Sequence, residues 1–547
     1  MKQAPIPVLA HERVLHVGEA VAMVVADTAE HAELAAEAVQ VEWDPLPAVV
    51  DPELALQPDA LSLHGNAPGN LALDWADGDA ARCEAAFAQA HHVQEVALDD
   101  PPMTACAMEP KAAIGMWDPE TQRWTLVAST QGVMLVRKQL AEQVFHVPLQ
   151  DIRVLTPQVG GGFGAKAQTY PEYAALLYAS KALGVPVRWT ASRLESFLGD
   201  THSRNSRLKA RMAFDREGRI LALQADLVVG IGAYTSTYIA IVGTNNTKNC
   251  LSSVYRIPCI RMTSKLALTH AMPQGPYRGA GRPEAILMVE RLLDLAAPQL
   301  GMDRVTLRRI NMVSPSEMPY AAANAMVYDS GEFEAIMDQA LSLSNWSTFE
   351  ARRLHAQHQG RLRGIGLCCF LEVAGGILEE PADLRFHDDG TVSLCVGAQA
   401  MGQGHLATYP ALIAQRLGID VSRVQLMAGD SDQTPGIVAT VASRSTMMVG
   451  SAAALACDES IRRGQALAAQ HLEAALEDVH FQNGLYTVAG TDRSVHLLDL
   501  TRLSQANTAS NHVALPPLDN VAKFTSPSMT YRSEEHTSEL QSLRHLV

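Results

Sequence analysis

No run in this chain is long and apolar enough to approach the roughly 18 residues that a membrane-crossing helix requires. Cysteine is sparse. Cys83, Cys106, Cys250, Cys259, Cys368, Cys369, Cys395 and Cys457 form no C-x-x-C pair, and most sit in apolar runs. Without that spacing the chain has no zinc or iron–sulfur framework of its own. Its thiols are expected to be buried and free, as in a reducing compartment. Positive charge is in deficit, with 43 Lys and Arg against 59 Asp and Glu and a formal net charge of −16. That balance argues against nucleic acid as a partner. No apolar signal core follows Met1. The expected compartment is therefore the cytoplasm, with the periplasm left open because the front of the sequence looks cut. At 547 residues the chain is too long for one domain.

What the chain has is glycine placed in loops. Gly160-Gly161-Gly162-Phe163-Gly164-Ala165-Lys166, Arg278-Gly279-Ala280-Gly281 and Met401-Gly402-Gln403-Gly404 each follow or open a regular element. The run Ala442-Ser443-Arg444-Ser445-Thr446 joins them. Glycine admits positive φ and lets the backbone come close to a ligand. Successive free N–H groups make nests for anions. Such places, far apart in sequence, suggest a large anionic cofactor held across two domains.

Simpler readings compete. Gly160, Gly162 and Ala165 fit the dinucleotide pattern G-x-G-x-x-A, but no Asp or Glu ends strand Val185–Thr190, where a ribose-binding acid belongs. A P-loop fails because Ala165 replaces the glycine before Lys166 and Ala167 replaces the Ser or Thr after it. A tight packing turn, a helix-start glutamine at Gln131, a surface turn at Arg278 and a capped helix start at Ser443–Thr446 remain the plain structural alternatives. Chemically, a glutamine at a strand-to-helix junction can both donate to an oxo group and accept. A guanidinium suits planar or phosphate oxygens.

Periodicity predicts a small β-α-β unit from Glu19–Val25, Thr28–Val39 and Val41–Val50. Asp51–Asp77 reads as a linker. Then come strands Trp124–Ser129, Ile152–Val159, Val185–Thr190 and Ile220–Val229, with helices Gly132–Phe145, Glu172–Leu183 and Glu284–Ala297. Gly184 is a natural helix stop. Further on are strand Thr391–Val396, helix His405–Leu417, strand Val424–Met427 and a long helix or helix pair over Thr446–Glu477. A weak repeat emerges: strand, Gln131, helix, Arg153-Val154, loop returns as strand, Gln403, helix, Arg423-Val424, loop. It suggests two related α+β domains facing each other across one ligand, though such patterns are common in α/β chains.

In order and wording, the loops resemble the molybdenum-cofactor subunit of the xanthine dehydrogenase and aldehyde oxidase family, the molybdenum hydroxylases. The resemblance runs from Val8 to Tyr531. Its most specific wording is Met401–His405, Gly429–Pro435 and Ala442–Thr446, with landmarks at Met108-Glu109-Pro110 and Tyr328-Asp329-Ser330-Gly331. It implies an α+β chain: a partial α/β hammerhead-like N-terminal domain over 1–55, a linker over 56–77, and two related molybdenum-cofactor-binding domains over 78–315 and 316–531, the second truncated.

The resemblance also implies roles. Gln131 would hydrogen-bond the apical oxo ligand of molybdenum, with Gly162, Phe163 and Gly164 beside it. Arg278 would lie next to the pterin. Met401, Gly402, Gln403, Thr440, Ala442, Ser443 and Ser445 match pterin and phosphate contacts. The cofactor would be molybdenum–molybdopterin, with the cytosine dinucleotide as one form, and no side chain would bind the metal directly.

Three departures bear on substrate. Ala167 stands where purine-oxidising members have a glutamate, Asn246 where they have an arginine, and Ala280 where they have a phenylalanine. These argue against xanthine. The loop Tyr277–Arg282 lacks the cysteine of carbon monoxide dehydrogenases, which argues against carbon monoxide. An aldehyde or an N-heterocycle remains, hydroxylated with water as oxygen donor. Electrons would pass to [2Fe-2S] and FAD on partner subunits, in an expected dimer of heterotrimers. The family's catalytic glutamate would fall after Tyr531, so the catalytic residue is unknown. Glu172, Glu372 and Glu379 have no supporting context. A non-catalytic scaffold and an NAD(P)-dependent dehydrogenase are the alternatives.

Both ends look unusual. Arg532–Ser542 equals the in-frame translation of a common sequencing adapter, so 532–547 is expected to be foreign to the protein. Val8–Val50 resembles the middle of the family's first domain without its preceding strands. The chain is thus expected to be an internal fragment, inactive when expressed alone.

Overall fold

The computed structural model describes residues 1–374, 379–436, 438–501, 518–526 and 530–543, the last of these as backbone. In the N-terminal segment only helix α1 (Ala29–Glu37) is regular, with the Thr28 side chain capping it through the His31 amide. The strands expected at Glu19–Val25 and Val41–Val50 do not form. A strand exists only with a ladder partner, and among the described residues neither segment has one. Their apolar side chains stay exposed, Trp43 and Leu46 among them.

Strand β1 (Leu71–Gly78), helix α2 (Ala80–Ala88) and strand β2 (His92–Asp100) follow. The expected linker therefore stops short of Leu71. Its last residues alternate Leu71, Leu73, Trp75, and they form an edge strand, a period-2 signal hidden among the Asp and Gly residues.

The next stretch builds a four-stranded sheet. Its elements are β3 (Ala112–Asp118), β4 (Arg123–Ala128), α3 (Val133–Gln139), β5 (Ile152–Leu155), α4 (Pro171–Leu183) and β6 (Val187–Thr190). The order is β5-β4-β3-β6, with β4 and β5 parallel and the other pairs antiparallel. A parallel pair needs a crossover, and α3 supplies it. Trp124, Leu126, Ile152 and Val154 face the core. Gly184, at φ 70°, closes α4 by returning its N–H to the Ser180 carbonyl. β5 ends at Leu155, short of the expected Val159, because the chain turns there to meet the second domain.

Strands β7 (Ser206–Phe214), β8 (Ile220–Gly232) and β9 (Ile260–Leu268) return to β1 and β2, giving the five-stranded order β1-β9-β8-β7-β2. Helix α5 (Arg282–Gln299) covers this sheet, and α6 (Arg304–Asn311) follows. Fully buried Arg308 bonds Glu290 and Asp294, both at 2.9 Å, while Glu290 also accepts from the Tyr255 hydroxyl at 2.6 Å and the Cys369 amide at 3.0 Å.

Two helices, Phe333–Leu343 and Phe349–His358, lead to the long strand β10 (Arg361–Ala374), whose Leu367, Cys369, Leu371 and Val373 join the core of the five-stranded sheet. Then come β11 (Glu380–Phe386), β12 (Val392–Val396), α7 (His405–Leu417), β13 (Val424–Met427), α8 (Ser445–His471) and β14 (Asn520–Phe524). The sheet order is β13-β12-β11-β14, with β12 and β13 parallel and the rest antiparallel. This is the topology of β3 to β6 repeated, so the two domains are architecturally related. The long helix is a single one and stops at His471.

Strand β15 (Thr530–Leu543) pairs antiparallel with β10 along its whole length, from Ala374↔Thr530 to Arg361↔Leu543. Most of β15 is the segment expected to be foreign, whose residues 544–547 lie outside the described ones. A ladder is made of backbone groups, and a long open edge accepts extended chain whatever its side chains.

Candidate functional site

The two similar sheets meet at the ends of their parallel strands. Leu155 bridges Asp430, the Thr156 amide donates to the Gly429 carbonyl at 2.7 Å, and Ser431 bonds Val154 in both directions at 2.9 and 3.0 Å. Arg153 and Asp430 pair at 2.6 Å, as do Arg123 and Asp432. A side chain at Gly429 would collide with the Thr156 carbonyl.

Beside this seam, the junction after β4 is buried. Gln131 is 3% exposed. Its Oε1 accepts from the Gly164 amide at 2.7 Å, and its Nε2 donates to the Thr440 carbonyl at 3.1 Å. The Gln131 carbonyl accepts from the Thr440 amide at 3.1 Å, and its own amide donates to the Lys166 carbonyl at 2.9 Å. One glutamine thus joins the glycine loop of the first domain to the Thr440 loop of the second.

The glycine loop fits around it closely. A Cβ on Gly162 would stand 2.6 Å from the Gln131 amide, and one on Gly164, at φ 101°, would stand 2.4 Å from the Pro276 carbonyl. Phe163, at φ 54° and partly exposed, accepts from the Arg278 amide at 2.9 Å. Arg278 is exposed, and its carbonyl is held by Arg204 at 3.0 Å. Arg204 in turn is forked onto buried Glu284 at 3.0 and 3.1 Å. Ala280 takes φ 47° and accepts from Asn246 Nδ2 at 3.0 Å. Ala167 is buried in the turn after Lys166.

In the second domain, the Met401 amide is closed by Gln403 Oε1 at 2.7 Å, ahead of α7. Gly402, at φ 105°, has open space where a side chain would be. Thr440 Oγ1 donates to the Gln399 carbonyl at 2.8 Å, and Gln399 Nε2 donates to Thr130. Among the described residues, buried Gln399 Oε1 has no donor. Ala442 and Ser443 take consecutive positive φ values of 55° and 51° just before α8, which starts at Ser445. Non-glycine residues hold such conformations at a cost of about 1–3 kcal/mol each. Arg444 is pinned beneath them by buried Glu380 at 2.5 Å. Burial pushes the Glu380 carboxyl up, and Arg444 opposes that without cancelling it.

The structure therefore brings Gln131, Gly162, Phe163, Gly164, Arg278 and Thr440 into one hydrogen-bonded run, and links Asn246 to Ala280. Met401, Gly402 and Gln403 close locally, as do Ala442, Ser443 and Ser445, on loops tied to the run through Gln399 and Thr440. Two residues were missed by the sequence reading. Glu109 accepts from the Gly160 amide and from Lys166 Nζ at 2.9 Å, and burial lowers the Lys166 ammonium against that carboxylate's pull. The Met-Glu-Pro landmark signalled the position without its role. Gln399 had no signal.

Two like domains that meet with glycine loops on one side and a strained Ser turn on the other point to a molybdopterin-binding protein. Residues 63–312 and 339–542 each match the molybdopterin cofactor-binding domain, and residues 1–47 match the aldehyde oxidase and xanthine dehydrogenase a/b hammerhead domain. The chain is 30% identical to the 6-hydroxypseudooxynicotine dehydrogenase complex subunit gamma of Paenarthrobacter nicotinovorans, over 96% of this chain and 66% of that one. It is 31% identical to the carbon monoxide dehydrogenase large chain of Hydrogenophaga pseudoflava, over 89% and 64%. Quinoline 2-oxidoreductase from Pseudomonas putida 86 superposes with a TM-score of 0.91 at 29% identity, covering 100% of this chain and 72% of that one. The chain belongs to the xanthine dehydrogenase and aldehyde oxidase family of molybdenum hydroxylases, as a molybdenum-cofactor-binding large subunit. It spans about two thirds of the length of these curated relatives. Among the described residues no helix is long and apolar enough to cross a membrane.

Proposed function

We propose that this chain is the part of a molybdenum hydroxylase that holds the cofactor and hydroxylates an aldehyde or N-heterocycle, water supplying the oxygen. Electrons leave to iron–sulfur and FAD partner subunits. The observation that carries the reading is Gln131. Its carbonyl end and one amide hydrogen are spent on the two domains, leaving its second amide hydrogen for a ligand in the cleft. When bound, the cofactor supplies the two-electron redox chemistry.

The chain's own residues supply placement. Arg278 offers an exposed cation, the loops at Met401–Gly404 and Ala442–Ser445 offer backbone amides and hydroxyls to pterin and phosphate, and the Gly162–Gly164 backbone comes close because no side chain fits there. Ala167, Asn246 and Ala280 present neither acid nor base to a substrate, and Asn246 already spends a hydrogen on Ala280. That lining suits a less polar substrate better than xanthine, whose several ring N–H and C=O groups would go unmatched. Quinoline, an N-heterocycle, stands in the name of one structural neighbour.

The test uses the full-length protein with its partners. Molybdenum and pterin are quantified, and aldehydes and N-heterocycles are screened with a dye acceptor in ¹⁸O-labelled water. Labelled product from molybdenum-loaded enzyme is expected. Oxygen taken from O₂, or tight nicotinamide-nucleotide binding with no molybdenum, would overturn the reading.

A further inference from the structure

Helix α2 is held against the five-stranded sheet by few buried side chains. It has nine residues, and only Cys83 and Phe87, one turn apart, are buried. A helix that short is marginal on its own and depends on its anchors. The anchors sit in a small satellite cluster with Ala213, Ala222 and Cys259, away from the main core.

Cys83 Sγ lies 2.6 Å from Cys259 Sγ, across 176 residues of sequence. Cys259 belongs to rigid backbone, because its carbonyl accepts from Leu223 of β8 at 2.9 Å just ahead of β9. One thiol is therefore fixed to the sheet and the other to the short helix, and both are free in this structure.

We propose that Cys83 and Cys259 are a redox modification site, where a low-molecular-weight disulfide of the glutathione type closes a protein disulfide that staples α2 to the sheet. The exchange balances. The Cys83 thiol loses its proton to water and attacks one sulfur of the small disulfide, whose S–S bond breaks and releases one small thiol. Cys259, deprotonated in turn, attacks the mixed disulfide and releases the second. Two protein S–H bonds are replaced by one S–S bond, and the electron pair ends in the two small thiols. Burial, with Cys259 adding to it, pushes the Cys83 thiol up to about 12, so the closed helix reacts slowly and opening of α2 sets the rate.

The experiment takes the full-length protein in its complex, incubated at length with oxidised glutathione or with dithiothreitol. Each sample is denatured in iodoacetamide and digested without reductant. Exposed Cys106 serves as the internal control that the reagent reacted. The expected result is a Cys83–Cys259 linked peptide in the oxidised sample alone, with a melting temperature raised by about 2 °C or more. Cys83→Ser should abolish both signals, and Cys250→Ser neither. Recovery of Cys83 and Cys259 fully alkylated while Cys106 carries glutathione would overturn the proposal.

Discussion

At the residue scale, the contact between the two domains turns on Gln131, a polar side chain whose partners belong to different domains. Gln131→Ala would strand the Gly164 amide and the Thr440 carbonyl, and an unsatisfied buried group costs about 1–3 kcal/mol. The expected outcome is a fall in molybdenum per chain and a turnover loss of about 100-fold. Gly162→Ala should mimic it, because the added Cβ must displace the Gln131 amide. Metal analysis beside a turnover assay checks both, and full occupancy and full turnover in the two variants would remove Gln131 from its central place. Gln131 and the Gly162–Gly164 backbone were legible because a motif marks them. Glu109 and Gln399 were not, since each acts through contacts that span long stretches of sequence and leave no local pattern.

Elements were legible where their signal is local. Helix α7 and strand β13 match their predicted bounds, and Gly184 ends α4 as its type predicts. Elements that depend on distant partners were not. Segments 19–25 and 41–50 have strand-like patterns and no ladder, while β1 was lost in a polar stretch yet finds β9. The N-terminal segment is instead attached by scattered hydrogen bonds of backbone and side chain: the Thr235 amide donates to the Ala4 carbonyl at 2.8 Å and the His270 amide to the Val49 carbonyl at 2.7 Å. Tyr234 donates to Glu19 at 2.5 Å, His64 bonds the Ala233 carbonyl at 2.7 Å, and His270 accepts from the Val49 amide at 3.1 Å. Burial lowers His16 and His270 below 6.5. At His16 the Val17 carbonyl and Glu19 oppose it while His202 adds to it, and at His270 the Val49 backbone opposes it while His64 adds to it. Both rings are thus held neutral when closed, and the opened segment takes up protons more readily. The seam is at full strength above about pH 6.5 and weakens as pH falls from there toward the lowered folded-state values. Hydrogen exchange, corrected for intrinsic rates, should show protection over residues 10–25 and 45–55 dropping between pH 7.5 and 5.5, with His16→Gln flattening part of the change. Equal protection at both pH values would refute the seam.

Helix α8 raises a different question of anchoring. Its first turn follows two strained residues, and Arg444 is locked to Glu380 with both side chains buried. Removing one member of such a pair leaves an uncompensated charge and costs about 3–5 kcal/mol. Arg444→Met should lower the melting temperature and release cofactor, and adding Glu380→Leu should restore much of the stability. If the double variant melts no higher than Arg444→Met, the buried charge is not what holds the turn.

For the whole molecule, the informative fact is that one topology occurs twice. β3 to β6 and β11 to β14 share their strand order and the placing of their parallel pair, so each domain directs a strand-to-helix junction toward the shared seam. The sequence repeat hinted at this, but two offset motifs do not say that the junctions touch. The structure shows that they do, through Gln131, Thr440, Gln399 and Thr130. A cleft built this way should lose cofactor cooperatively. Gln131→Ala removes the bond to the Thr440 carbonyl, and Thr440→Val removes the bond from its hydroxyl to the Gln399 carbonyl, so both act on one network across the domain seam. Their combined effect on cofactor retention should therefore fall short of the sum by about 0.5 kcal/mol or more, as for residues in one hydrogen-bond network. Gln131→Ala combined with Arg416→Ala, whose ion pair with Asp458 is solvent-exposed, should be additive within about 0.5 kcal/mol. Cofactor dissociation rates of the single and double variants complete both cycles. Additivity in the first would mean that each domain holds its share of the cofactor independently.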